Sequence, residues 1–140
     1  MRRLFPQEIC AAVGGTLLQD GAPITGVTTD SRRAGEGMLF IPLVGERFDG
    51  HDYVDKALQS GAAGCLTAKT PETLLPGKLY VQVPDTRLAL RALASWYRGQ
   101  FRIPVVQVTG SAGKTTTKEM IACVLSRRYR TLKTEGNLNN

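Results

Sequence analysis

Apolar residues along this chain recur in short groups that predict small helices and strands. Residues 6–13 begin at Pro6, suited to a first helical position, and run into Gly14-Gly15, which predicts a short helix with a sharp stop. Ile24 to Thr29 and Met38 to Leu43 read as β segments separated by the turn-rich SRRAGEG. Tyr53, Val54, Ala57 and Leu58 share one helical face, so a helix is expected from His51 to Ser60, with Gly61 ending it. Two apolar runs, 63–67 and 79–83, flank the loop KTPETLLPGK. Residues 1–83 therefore read as a small α/β module.

Beyond Pro84 the pattern changes. Asp85 or Thr86 can cap a helix over 85–99, with Leu88, Ala89, Ala92, Leu93 and Trp96 on one face and Arg87, Arg91 and Arg98 on the other, a solvated face. PVVQV then suits a buried parallel strand. A glycine-bearing turn, an amphipathic helix from Lys114 to Ser126 and a β-like stretch from Tyr129 to Lys133 follow, which predicts one βαβ unit. The expected fold class is α/β, with one domain over 1–83 and the incomplete start of a second over 84–140.

At 140 residues and 42% hydrophobic, with 15 Gly and 7 Pro, the composition excludes disorder and collagen-like structure. The net charge of +6 is unevenly placed: residues 1–83 carry 8 basic and 9 acidic residues, whereas 84–140 carry 10 and 3. Such an excess suits a highly charged anion or nucleic acid, but the aromatic interleaving of single-strand platforms and any groove-reading motif are missing. Cys10, Cys65 and Cys123 are far apart with no CxxC, which suits reduced, mostly buried thiols. MRRLFPQEIC lacks the apolar run of a signal peptide, and no stretch approaches a membrane span, so a cytoplasmic protein without membrane insertion is expected.

The densest chemistry lies in VVQVTGSAGKTTTKEM, residues 105–120. Gly110 and Gly113 permit a turn whose backbone N–H groups can face a phosphate, and the following helix adds its N-terminal partial positive charge. Lys114 supplies a full charge for the outer phosphates, and the Thr115 hydroxyl is placed for Mg²⁺. Against the pattern GxxxxGK[ST], the first glycine position is Val108, so the loop is a variant form. Thr116 either extends the row of loop hydroxyls or starts the helix.

This segment resembles the ATP-binding motif of the Mur ligases, TGxxGKTT, which asks for no glycine at position 108. The likeness extends to TEGNLNN at 134–140 and upstream through GVTTDSRRAGEGMLFIPLVGERFDGHDYVDKAL, residues 26–58, with that family's DSR, GxLF and GxxxDGHxY elements. Met38 departs from the usual acidic residue, and Ala112 from the Asn or similar residue often found there. Neither removes a group that the phosphate cradle needs.

What the resemblance implies is an ATP- and Mg²⁺-dependent peptide ligase of peptidoglycan precursor synthesis. It would join D-alanyl-D-alanine to UDP-N-acetylmuramoyl tripeptide through an acyl phosphate, as a monomer that does not bind nucleic acid. Thr109, Gly110, Ser111, Ala112, Gly113, Lys114, Thr115 and Thr116 would hold the nucleotide, Lys114 as the catalytic charge and Thr115 on the metal. Asn137 falls in the family's Asn-bearing segment beside the nucleotide, and Asn140 in the same segment with less support. Thr29, Ser31 and Arg32, with Glu46, Arg47 and Phe48, would form the substrate site at the uridine end. Residues 1–83 would then be the UDP-muramoyl-peptide-binding domain and 84–140 the start of the central ATP-binding domain, without turnover of its own. On the residues alone, Arg32 equally suits a polar turn, Phe48 equally packs under the Asp49-Gly50 turn, and His51 suits a cap or structural role. The competing readings are a Mur ligase that adds a diamino acid and a nucleotide-binding module without ligase chemistry.

Overall fold

A computed structural model describes residues 2–134, which divide into two compact units between Phe101 and Arg102. The first unit is a mixed five-stranded sheet of β1 (Thr16–Gln19), β2 (Gly26–Thr28), β3 (Met38–Phe40), β4 (Gly64–Thr67) and β5 (Leu79–Gln82), in the spatial order β1-β5-β4-β3-β2. Strands β2 to β5 run parallel, and β1 adds an antiparallel edge against β5.

The period-2 alternation of the strands sorts their side chains into two cores. Leu39, Ile41, Leu66, Leu79, Val81 and Val83 face one side, with Ile9 of α1 (Pro6–Val13) and Ala89 and Leu93 of α3 (Thr86–Gly99). Phe40, Cys65 and Tyr80 face the other, with Ala57 and Leu58 of α2 (Val54–Gln59) and Ala62. The result is three layers, helix on sheet on helix. Burial pushes the Cys65 thiol up to about 12, so this cysteine is a core residue and not a nucleophile.

Local chemistry explains the helix ends. Pro6 opens α1, the Glu8 carboxylate accepts the Phe5 N–H at 2.9 Å, and Gly14 closes it at φ +61. Asp85 caps α3 by accepting the N–H groups of Arg87 and Leu88 at 2.7 and 2.9 Å. Because Ala89 and Leu93 then insert into the first core, the compact unit extends to Phe101, past the division at Pro84 that charge suggested. The helix expected from His51 starts instead as a 3₁₀ turn, Gly50–Tyr53, that Asp49 caps.

Two expectations fail in the second unit. Residues 104–108 form no strand, and Val105 and Val106 are 63% and 60% exposed; residues 129–133 form none either. The expected βαβ unit is therefore replaced by a single helix, α4 (Lys114–Leu125), flanked by irregular backbone. A strand exists only through its ladder, and the described residues of this unit offer neither segment a partner. The converse holds for β1, which the apolar pattern does not announce: it forms because β5 offers an edge, and the Gln19 carboxamide fastens it by donating to the carbonyls of Leu75 and Lys78 at 2.6 and 2.7 Å.

Candidate functional site

Three helical starts in the first unit differ from that of α4. Asp30, Asp49 and Asp85 each place a carboxylate on the first N–H groups of their turns. α4 has Gly113 at that position, at φ +75, and no side chain caps its first turn. A left-handed residue is required there, which glycine supplies without steric cost. An uncapped helix N-terminus presents orphan N–H donors and a partial positive charge, the features that favour an anion.

Lys114 lies over the same loop: its ammonium donates to the Gly110 carbonyl at 2.7 Å. Thr109, Ser111, Ala112, Thr115 and Thr116 are exposed around it. The Thr117 N–H bonds the Gly113 carbonyl at 2.9 Å, so regular helical bonding begins directly behind the hydroxyls of Thr115 and Thr116. Lys118, one turn on, is turned away to the Thr134 carbonyl at 2.6 Å, and Lys133 pairs with Glu119. Asn137 and Asn140 lie outside the described residues. No group of three His, Cys, Asp or Glu side chains gathers among the described residues, so a cation at this loop would need Thr115 and the oxygens of its own anion.

In the first unit, the candidate residues lie beyond the carboxyl ends of adjacent strands, the edge at which open α/β sheets take ligands. After β2, the buried Thr28 hydroxyl accepts the Asp30 N–H and donates to the Asp30 carbonyl, both at 3.1 Å. This leaves Thr29 exposed at the turn and starts the 3₁₀ turn Ser31–Arg33. The Arg32 guanidinium grips Asp30 at both oxygens, 2.9 and 2.7 Å, yet its side chain remains 83% exposed. That hydrogen bond, followed by the one from the Arg32 N–H, pulls the Asp30 carboxyl down to about 2. A depressed carboxyl contributes stability above its unfolded value of roughly 3.9 and loses it as pH falls through the folded value. The carboxyl carbon of Asp30 should accordingly titrate with a midpoint of about 2 by NMR; a midpoint near 4 would show that the pair does not form.

After β3, Val44 and Asp49 form an antiparallel bridge, and the Gly45 N–H donates to the Phe48 carbonyl at 2.9 Å, so Glu46, Arg47 and Phe48 form the tip of a small closed loop. Phe48 does not pack under the Asp49-Gly50 turn. Its ring lies over Gly45, where a Cβ would meet Cε1 at 2.7 Å, and it remains 60% exposed. Sequence reasoning missed the groups that hold this loop. The Asp49 carboxylate meets His51 Nδ1 at 2.6 Å through one oxygen and Lys69 Nζ at 2.7 Å through the other. Lys69 foremost, then the His51 N–H and ring, hold the Asp49 carboxyl well below the usual range. Arg87 of α3 adds a bond to the Val44 carbonyl at 3.0 Å. The Asp-Gly-His sequence was the available signal for Asp49; nothing local announced Lys69 or Arg87.

A shallow depression of about 490 Å³ opens at the opposite edge, lined by Thr25, Gly37, Ala63 and Lys78, each immediately before a parallel strand. The Lys78 ammonium is committed there to the Ala62 carbonyl at 2.7 Å, and none of the expected site residues reaches that edge.

Residues 23–98 match the family model described as Mur ligase family, catalytic domain, and residues 108–140 match the Mur ligase middle domain. The chain belongs to the Mur ligase family. It is 49% identical over 122 residues to the UDP-N-acetylmuramoyl-tripeptide--D-alanyl-D-alanine ligase of Escherichia coli K12, covering 86% of this chain and 26% of that protein. Among solved structures, the UDP-N-acetylmuramoylalanyl-D-glutamyl-2,6-diaminopimelate--D-alanyl-D-alanyl ligase of Acinetobacter baumannii matches with a TM-score of 0.91 at 38% identity, over 100% of this chain and 32% of that one. A MurF ligase of Thermotoga maritima in complex with ADP matches with a TM-score of 0.69 at 36% identity, over 81% of this chain and 26% of that one. The chain thus spans between a quarter and a third of the length of these relatives. Among the described residues no helix is long and apolar enough to cross a membrane.

Proposed function

We propose that this chain is part of an ATP-dependent amide ligase that adds D-alanyl-D-alanine to UDP-N-acetylmuramoyl tripeptide, acting as a monomer in the cytoplasm. The observation that carries the reading is the uncapped first turn of α4 behind Gly113, with Lys114 folded over its loop. Relatives named for this reaction, and one solved with ADP, support the choice over diamino-acid addition.

In this reading Thr109 to Gly113 wrap the phosphates of ATP, and Thr116 adds a hydroxyl at the helix start. The Lys114 ammonium exchanges the Gly110 carbonyl for phosphate oxygen, and as the transferred phosphoryl group moves to the substrate carboxylate it stays fixed beside the developing charge. Thr115 would hold Mg²⁺, whose charge would offset that of the phosphates. The acyl phosphate so formed is attacked by the amine of D-alanyl-D-alanine, and phosphate leaves. Asn137 serves beside the nucleotide. Thr29, Ser31, Arg32, Glu46, Arg47 and Phe48, on adjoining loops of the first unit, take the uridine diphosphate end. Arg32 faces the diphosphate and the exposed Phe48 ring offers a stacking surface.

Calorimetry on the 140-residue chain tests this division. Saturable binding of both ATP with Mg²⁺ and UDP-N-acetylmuramoyl tripeptide is expected. Binding of ATP alone would instead support a nucleotide-holding module and overturn the ligase reading.

A further inference from the structure

One histidine joins two loops at the carboxyl edge of the sheet, and its hydrogen bonds define its role. The His51 side chain is 5% exposed. Its Nε2 lies 3.0 Å from the Ala68 N–H, which can only donate, so Nε2 is an acceptor and the proton sits on Nδ1. Nδ1–H then donates to Asp49 at 2.6 Å, and the His51 N–H bonds the same carboxylate oxygen at 2.9 Å. The ring therefore spans from the base of the 44–49 loop to the backbone that follows β4.

Both ends of this link are fixed. Beyond β4, the Thr67 hydroxyl donates to the Lys69 carbonyl at 2.7 Å and accepts its N–H at 3.1 Å, which sets the Ala68 amide in a closed turn. Lys69 then returns to the second Asp49 oxygen. Below the other loop, the Gly50 N–H bonds the Leu43 carbonyl at 2.9 Å, and a Cβ at Gly50 would lie 2.6 Å from the Leu43 backbone nitrogen. Displacing His51 thus displaces Asp49, and with it the bridge to Val44 that orients Glu46, Arg47 and Phe48.

We propose that His51 is a positioning residue: by holding Asp49 and the Ala68 amide at once, it sets the orientation of the Glu46 to Phe48 loop for the nucleotide end of the substrate. The inference rests on the reading that this loop meets substrate. Two substitutions separate the halves of the link. His51→Asn keeps a donor near Nδ1 and loses the Ala68 acceptor, whereas His51→Gln can offer its carboxamide oxygen near the position of Nε2.

The experiment measures amide exchange and calorimetric binding of UDP-N-acetylmuramoyl tripeptide on the full chain, with the Leu79 amide, bonded to the Ala63 carbonyl inside the sheet, as the folding reference. In H51N the Ala68 and Gly45 amides should exchange at least about tenfold faster and affinity should fall about tenfold, with Leu79 unchanged; H51Q, which regains the Ala68 acceptor but not the Nδ1 donor to Asp49, should restore slow exchange at Ala68 alone. Unchanged exchange at Gly45 in H51N overturns the proposal. So does faster exchange with undiminished affinity in H51N, or an H51Q variant that binds the tripeptide as tightly as the unaltered chain. If the unaltered chain binds no tripeptide but the exchange effects appear, the substrate assignment of Glu46 to Phe48 falls while the ordering of the loop by His51 stands.

Discussion

Replacing Lys114 with alanine should weaken ATP binding by on the order of 100-fold, which corresponds to about 3 kcal/mol. Two contributions add. The ammonium is the one full positive charge that the loop directs at itself, held 2.7 Å from the Gly110 carbonyl, and hydrogen bonds between charged groups are stronger than neutral ones. Its removal also leaves the partial charge of α4 as the main attraction for a polyanion, and that is worth about 1 kcal/mol when exposed. Arginine should not restore the affinity, since a planar guanidinium is wider than a compact ammonium. Lys118→Ala provides the control. Lys118 lies on the same helix but donates to the Thr134 carbonyl, so its loss should change ATP affinity by less than about twofold. Titration calorimetry with circular dichroism of α4 separates affinity from folding. Undiminished ATP affinity in K114A would remove the phosphate role from this loop.

Much of this site was legible because its chemistry is contiguous. Gly110, Gly113, Lys114 and Thr115 lie within one turn and the first residues of one helix, and the structure adds that nothing internal caps that helix. The helix starts at Pro6 and Asp85 were equally local, as was the alternation that sends Leu39 and Phe40 to opposite faces. The failures share one cause. PVVQV has the composition of a buried strand, but strand structure depends on a neighbour that composition does not contain, and the same dependence turns the modest TLLQ into β1 once β5 lies beside it. The loop supports were hidden for a related reason. His51 meets an amide 17 positions away and Arg87 a carbonyl 43 positions away, separations that only the packed sheet closes. The basic excess beyond residue 83 shows the limit of charge as a boundary signal. Asp85 and Arg87 belong to a helix whose apolar face completes the first core.

That sheet has its own point of greatest sensitivity, and the largest loss of stability is expected from Gly64→Ala. Gly64 is buried at the start of β4, in register with Leu39 on one side and Leu79 on the other. A Cβ there would lie 2.4 Å from both the Leu79 Cβ and the Leu79 carbonyl oxygen, and 2.9 Å from its Cα. Backbone atoms cannot rotate aside as a side-chain end can, so β4 and β5 would have to separate locally. Leu79 also packs the core shared with α1 and α3, and its N–H is bonded to the Ala63 carbonyl at 2.9 Å; separation would therefore disturb both packing and ladder. Overpacking of this kind costs about 3 kcal/mol, which for a unit of this size lowers the melting temperature by more than about 10 °C. Gly26→Ala is the informative comparison. Its Cβ would meet the Met38 sulfur at 2.3 Å, but that is a flexible side-chain end, so the loss should be below about 1 kcal/mol. Thermal unfolding followed by the near-ultraviolet signal of Trp96 and Tyr80 would rank the two. Equal melting temperatures would mean that the close approach of β4 and β5 at Gly64 is not what holds the centre of the sheet together.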